Sequence, residues 1–530
     1  MDSSSYSDRK NKKRNKKIVE VEMNCDTTST IRNPCVTDQN HRLFTIILVT
    51  IILLSSILRI IYLDNKSLWL DEATNVLMAE KNIATWTFGE PPLYYLVLHF
   101  TLAIGKSETI IRFPSVIFGI LSVFMIYKIG TLLYNKKEGL VSAFLLAISP
   151  TSIIFSQDAK NYSLFIFLSM ATIYFFLKME EKPTNGNKIL FLISLILSFY
   201  NHYFTVILLA AIIIFKIWKS HKNIKDLFNF FLLIGIFLLF IIPILQQFIS
   251  QVTIRSGSSY INFVYQTHLT NQFMREIFTF LIMHEFVGDN NIIYYLYLGL
   301  LLYGTLSSFD FLRFSRNSDT FTLHEKNIIF LVIWLFIPIA FSAILTNIIS
   351  NLYIRYISFT LPAFLLISSH GIVTIPNGII SIINRVRKKV DLTKFYLLIV
   401  ILIIIVVVLS TYPILNHWYK SENYDWKGAS KFLEKNAEKN SNIILIPGYN
   451  SGPFKFYYKS NDTNVIEYSP TYDLKRLLYQ NYTYIVVTDD VNALGPSEVF
   501  KITQFISEDM EIDNEFSGGI SIYRNRTSFV

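Results

Sequence analysis

Two carboxylates stand side by side in "SLWLDEATNVLMA" (67–79), just beyond the first long apolar run of the chain. Desolvating a bare carboxylate at such a depth is costly, so Asp71 and Glu72 need a reason to be there. A carboxylate beside a membrane can take the proton of an alcohol as that alcohol attacks an electrophile. Other polar groups gather at the ends of later apolar runs: Arg112, "SQDAKNYS" (156–163) with Lys160 and Tyr162, "YNHY" (200–203) with His202 and Tyr203, and "YIRY" (353–356) with Arg355 and Tyr356. Arg and Lys at headgroup depth can hold a phosphate, Arg through a bidentate fork. Acid and cations together suit transfer from a lipid-phosphate donor. The phosphate leaves, the cations stabilise its charge, and the carboxylate takes the acceptor proton.

The elements that position these groups follow from the apolar pattern. The 530 residues are 52% hydrophobic and only 16% charged, with a mean hydropathy of +0.39. Soluble domains carry about 25% charged residues, so the chain reads as a protein solvated mostly by lipid. A helix needs about 20 apolar residues to cross a bilayer. About eleven runs qualify: 43–63, 112–133, 139–156, 162–178, 188–201, 203–218, 227–248, 292–312, 327–348, 354–380 and 395–413. The basic stretches "RKNKKRNKK" (9–17), "YNKKEG" (134–139), "KMEEKPTNGNK" (178–188), "KIWKSHKNIK" (216–225), "RFSRN" (313–317) and "RVRKK" (385–389) all fall on one side if the N-terminus is cytoplasmic, as the positive-inside rule requires. The net charge of +9 is therefore read as topology, not as nucleic-acid binding. "PPLYYLVLHFTLAIG" (91–105) is read as an interfacial or re-entrant helix, because counting it as a span would turn the 134–139 loop outward.

This gives an α-helical polytopic membrane protein of three parts: a basic tail (1–42) without packed structure, a membrane domain (43–415) with a long external loop (64–111), and an extracytoplasmic α/β domain (416–530). In the last part "DWKGASKFLEKNAEKN" (425–440) and "GPSEVFKITQFISEDM" (495–510) have helical spacing, whereas "NIILIPG" (442–448) and "YTYIVVTDD" (482–490) read as strands. No glycine-rich phosphate loop is present in this part, so its expected work is acceptor recognition or that of a lid. Cys25 and Cys35 both lie in the tail and imply no disulfide framework. Sequons occur at Asn65, Asn161, Asn461, Asn481 and Asn525, the last three on the external side.

"SLWLDEATNVLMA", "PPLYYLVLHFTLAIGKSETIIRFPSVIFGILSVFMIY", "SPTSIIFSQDAKNYSLFIFL" and "RYISFTLPAFLL" resemble membrane glycosyltransferases of the GT-C class, in particular the protein-O-mannosyltransferase-like and aminoarabinose-transferase-like enzymes. The resemblance covers about residues 43–415 and rests on the ordered set, not on one motif. It implies transfer of a sugar from a polyprenyl (dolichyl or undecaprenyl) monophosphate to a glycan, lipid or protein acceptor outside the cell membrane. It also implies a catalytic carboxylate at Asp71, with Glu72 as its partner or a bystander, and phosphate-binding roles for Arg112, Lys160, Arg355 and Tyr356. Tyr162, His202 and Tyr203 become possible substrate contacts. One departure is Lys160, which stands where relatives often carry Arg; the charge survives but the planar fork does not.

Each of these residues also has an ordinary reading. Arg112 can snorkel at the interface, the tyrosines can be belt aromatics, and His202 can be structural. His284-Glu285 lacks the second His of a zinc helix, and adjacent carboxylates alone do not build a cation cage. No metal or cofactor is expected. A transporter or lipid flippase is the alternative, for which symmetric halves and midplane charges are the usual signs. A non-catalytic scaffold would not need Asp71, Arg112 and Arg355 at one depth.

Overall fold

The structure is a computed structural model that describes residues 34–83, 90–257, 271–284, 291–309, 321–345, 353–386, 393–421, 424–478 and 482–525. The tail before residue 34, the 313–317 and 387–389 basic stretches, Glu285 and the Asn481 sequon lie outside the described residues. The chain divides into two compact units, 1–51 and 52–530, the division falling inside the first helix, α1 (Pro34–Ile60).

After α1 come two short helices, α2 (Leu70–Glu80) and α3 (Leu93–Leu102). The membrane bundle continues with α4 (Glu108–Leu133), α5 (Lys136–Ile148), α6 (Pro150–Ser156), α7 (Tyr162–Glu181), α8 (Asn185–Asn201), α9 (Thr205–Ser220), α10 (Ile224–Gly257), α11 (Asn271–Met283), α12 (Asn291–Leu306), α13 (Leu323–Leu345), a 3-10 turn (Ile354–Thr360), α14 (Leu361–Val386) and α15 (Thr393–Lys420). Among the described residues, 7 helices are long and apolar enough to cross a membrane, or up to 8 if the bent pair α5–α6 is one span. Each of the eleven expected runs overlaps helix among the described residues, but the expected count is not reached on length. The runs at 188–201, 203–218 and 292–312 form helices of 17, 16 and 16 residues, short of the roughly 20 that a straight crossing takes. The 91–105 stretch forms only the 10-residue α3.

The run expected to cross at 139–156 is bent by 59°. Ser149 ends α5 in extended backbone and caps α6, whose first residue is Pro150. Proline has no N–H for the preceding turn, so carbonyls are left over. Arg59 supplies what is missing: its guanidinium donates to Leu146 O (3.2 Å) and Ala147 O (3.0 Å), and to the hydroxyls of Ser55, Ser152 and Ser156. Gly119 of α4 lies against this knot, and a Cβ there would stand 2.0 Å from Ser156 Oγ. Close helix approach recurs where Gly130 of α4 faces Gly139 of α5; a Cβ at Gly130 would lie 2.9 Å from the Gly139 Cα.

The C-terminal region adds α16 (Trp426–Asn436), β1 (Asn442–Ile446), α17 (Ser451–Tyr457), β2 (Asn464–Glu467), α18 (Leu474–Leu478), β3 (Thr483–Thr488), α19 (Pro496–Asp509), β4 (Met510–Phe516) and β5 (Ile520–Asn525). The sheet order is β2-β1-β3-β5-β4, parallel across β2, β1 and β3 and antiparallel beyond. β1, "NIILI", is buried on both faces, as expected of a central parallel strand. Ile443 and Leu445 pack under Trp426 and Phe454, while Ile444 and Ile446 pack under Leu474, Ile502 and Phe505. Helices therefore cover both faces.

Candidate active site

The site is organised by the first turn of α2. Trp69 is its N-cap, and the Glu72 carboxylate turns back to accept the Trp69 N–H at 3.2 Å, one half of a capping box. Glu72 is fully buried. It also accepts Arg112 Nε (2.8 Å), Arg112 Nη2 (2.7 Å) and the Ala159 N–H (2.7 Å). Arg112, near the start of α4, spends its other donors on the carbonyls of Leu63 (2.8 Å), Lys66 (2.9 Å) and Ser67 (3.2 Å). A guanidinium has five N–H groups, and all five of Arg112's are engaged by the protein. The pair thus knots three chain segments together at the root of α2.

Asp71 takes the opposite position. Its side chain is 25% exposed, and its Oδ2 lies 3.3 Å from Arg355 Nη2 and 3.6 Å from Lys160 Nζ. Lys160 is buried and bridges to Glu90, at 3.0 and 3.1 Å from the two carboxylate oxygens. Burial works against the Lys160 charge, but Glu90 and Asp71 more than offset it and hold the ammonium above the ordinary lysine range. Arg355 opens the 3-10 turn with its guanidinium 4.3 Å from the Tyr353 ring centre, 5.6 Å from Trp69 and 5.9 Å from Tyr162. Its Nε is buried with no hydrogen-bond partner among the described residues. A buried N–H left open beside an ion pair is a donor in want of an acceptor.

A cavity of about 480 Å³ adjoins this cluster. Glu90, Asn161, Tyr162, His202, Tyr203 and Tyr356 line it together with the largely apolar faces of α9, α10 and α13, among them Val206, Ile207, Phe248, Val252, Phe341 and Leu345. His202 is fixed in this lining: its ring stacks on Phe165 at 4.4 Å, meets Tyr356 edge-on at 5.4 Å, and accepts the Phe204 N–H through Nδ1 at 3.2 Å.

Of the residues singled out in the sequence, Asp71, Lys160 and Arg355 come together in one ion cluster. Tyr162, His202, Tyr203 and Tyr356 line one cavity. Glu72 and Arg112 form a separate, sealed pair beneath. His284 is packed against Phe155 and Phe280. Among the described residues no group of three or more His, Cys, Asp or Glu is placed to hold a metal ion.

Two further carboxylates near the site are not singled out by the sequence pattern. Glu90 precedes Pro91-Pro92 with no spacing signal to mark it. Asp158 lies within "SQDAKNYS" (156–163), two residues before Lys160. It is half-buried and makes no hydrogen bond among the described residues. Burial, and then the Glu72 carboxylate, push its pKa up to about 8 against the pull of Arg112, Lys66 and Arg355. The folded state therefore holds a proton that the unfolded chain has released by pH 5. The resulting stability is fully present below the unfolded value near 4 and is lost as pH rises through about 8. Unfolding midpoints measured in detergent across pH 4–9 should show that decline in the wild type and a shallower one in Asp158→Asn.

Residues 89–246 match the family model of dolichyl-phosphate-mannose-protein mannosyltransferases. No curated protein sequence matches the chain. Its fold is that of solved polytopic GT-C enzymes. The oligosaccharyltransferase of Archaeoglobus fulgidus superposes with a TM-score of 0.59 at 11% identity, over 92% of this chain and 75% of that one. ArnT from Cupriavidus metallidurans superposes with a TM-score of 0.57 at 11% identity, over 92% and 98%. Of the similar structures, the oligosaccharyltransferase AglB from Archaeoglobus fulgidus has been solved with dolichol-phosphate and ArnT with undecaprenyl phosphate.

Proposed function

We propose that this integral membrane protein transfers a glycosyl group from a polyprenyl monophosphate sugar to an acceptor hydroxyl on the extracytoplasmic face. The observation that carries this reading is the Asp71–Arg355–Lys160 cluster, joined through Glu90 to a largely apolar cavity. Bound lipid phosphates in proteins of the same fold support it.

In this reading the isoprenoid chain lies along α9, α10 and α13, and the phosphate takes the open Arg355 Nε and the Lys160 ammonium. Both cations now face Asp71, so an arriving phosphate competes for them and frees the carboxylate. The acceptor oxygen forms its bond to the anomeric carbon as the carbon–oxygen bond to phosphate breaks. The acceptor proton passes to Asp71, and polyprenyl phosphate leaves with its charge held by the cations. Tyr162, His202, Tyr203 and Tyr356 line the space in which the sugar and phosphate would sit. Glu72 and Arg112 act as the frame of the α2 turn, since neither retains a free hydrogen-bonding edge.

The test is transfer by purified protein from a panel of labelled polyprenyl-phosphate sugars to envelope acceptors. Arg355→Ala should raise the donor Kd by about 10–100-fold, the scale of about 1.5–3 kcal/mol for a charged hydrogen bond. Folded protein that neither binds nor turns over any donor would instead favour a transporter.

A further inference from the structure

The C-terminal sheet region grips the very segment that carries Asp71. Tyr457, the last residue of α17, accepts the Leu68 N–H through its hydroxyl at 2.9 Å and donates to Glu108 Oε1 at 3.2 Å. Lys427, in the first turn of α16, donates through Nζ to the same Glu108 oxygen at 2.8 Å and through its backbone N–H to Ser67 Oγ at 3.2 Å. Next to them Phe456 is buried among Leu68, Ala73, Val76 and Ala159. Gly452 stands so close to α2 that a Cβ there would lie 3.3 Å from Thr74 Oγ1. From the other side Arg112, one turn after Glu108 on α4, holds the Leu63, Lys66 and Ser67 carbonyls. Residues 66–69 are therefore clamped between α4 and the sheet region, immediately before the turn that presents Asp71.

We propose that Tyr457 and Lys427 are positioning residues, through which the C-terminal region fixes the first turn of α2 and so aims Asp71 at Arg355 and Lys160. Their consequence for turnover rests on the glycosyl-transfer reading; their grip on α2 does not. The physical argument is one of leverage. The Tyr457–Leu68 bond and the Lys427 backbone N–H on Ser67 attach three and four positions before Asp71, the Lys427 ammonium on Glu108 holding that backbone in place, and a small rotation of the helix start there moves the carboxylate away from both cations. Misplacement of a reacting group by about 1 Å can cost about 10²-fold in rate.

Two measurements test this on the full chain in detergent: hydrogen exchange of amides 66–80, and steady-state transfer. In Tyr457→Phe/Lys427→Met, exchange over 66–80 should rise about tenfold, and kcat should fall about tenfold or more while the donor KM stays within about twofold. Glu108→Ala, which removes the acceptor shared by Tyr457 and Lys427 on the membrane side, should move both readouts in the same direction and carries the test if the double variant does not fold. Lys427→Arg should restore most of the rate. Lys475→Met, on the far side of the sheet, should alter neither readout. Unchanged exchange in the double variant and in Glu108→Ala overturns the proposal, as does a loss confined to the acceptor KM, which would make the region an acceptor-binding surface instead. If wild type transfers no sugar from any donor, the functional reading fails, and the exchange result alone still decides whether the latch holds α2.

Discussion

Asp71→Asn is expected to cut transfer by about 10²–10⁴-fold, the usual contribution of a positioned general base, while donor binding stays intact or tightens. The substitution keeps the shape of the side chain and removes only its charge and basicity. Arg355 and Lys160 then lose a counter-charge at 3.3 and 3.6 Å, which leaves them more attractive to a phosphate. The measurement pairs single-turnover transfer with donor binding in the same protein. A rate loss with unaltered or improved binding places Asp71 in the chemical step. Equal turnover in both proteins would move the base elsewhere, and the structure indicates where. Glu72 is fully buried and saturated by four N–H donors, whereas Asp158 is half-buried, without a hydrogen-bond partner among the described residues, and held near pKa 8 by burial. Asp158 would be the next carboxylate to replace.

Those two neighbours show how far the sequence could be read. Side by side, Asp71 and Glu72 invite a shared role, but successive residues of a helix point about 100° apart. One therefore meets the ion cluster while the other turns into the protein, and only the packing of α4 and the 157–161 loop decides which. Arg112 is equally legible as a cation near the membrane face, but beyond Glu72 its partners are backbone carbonyls of Leu63, Lys66 and Ser67, and no residue type announces a carbonyl left unpaired. The apolar runs located the helices well because lipid solvation leaves a long compositional trace. They missed the bend at Ser149-Pro150, where Arg59 supplies hydrogen bonds from another helix. In the C-terminal region the short continuous apolar run at 443–446 marked β1 as a buried strand, but the latch through Tyr457 depends on contacts more than 300 residues apart in sequence.

The frame itself has the largest expected effect on stability. Arg112→Met should destabilise the fold by about 3–5 kcal/mol, because it strands a buried carboxylate and leaves three carbonyls without the guanidinium. Glu72→Gln removes the charge but keeps the shape, and it leaves the Arg112 cation buried and unpaired; a loss in the same range is expected. Replacing both residues together should relieve the charge imbalance, so the double variant should be less unstable than the sum of the singles. It should not return to wild type, since the Gln amide offers one acceptor oxygen where the carboxylate offered two to the Trp69 and Ala159 N–H groups, and the three carbonyls still lose the guanidinium. Unfolding in mixed micelles measures all three. Arg112→Lys separates a framing role from phosphate binding, because an ammonium has three donors for five acceptors and cannot fork onto a carboxylate. A framing Arg112 predicts lost stability with donor affinity unchanged in the folded fraction. A lysine variant as stable as wild type but with weakened donor binding would return Arg112 to the phosphate and leave Glu72 as a candidate base.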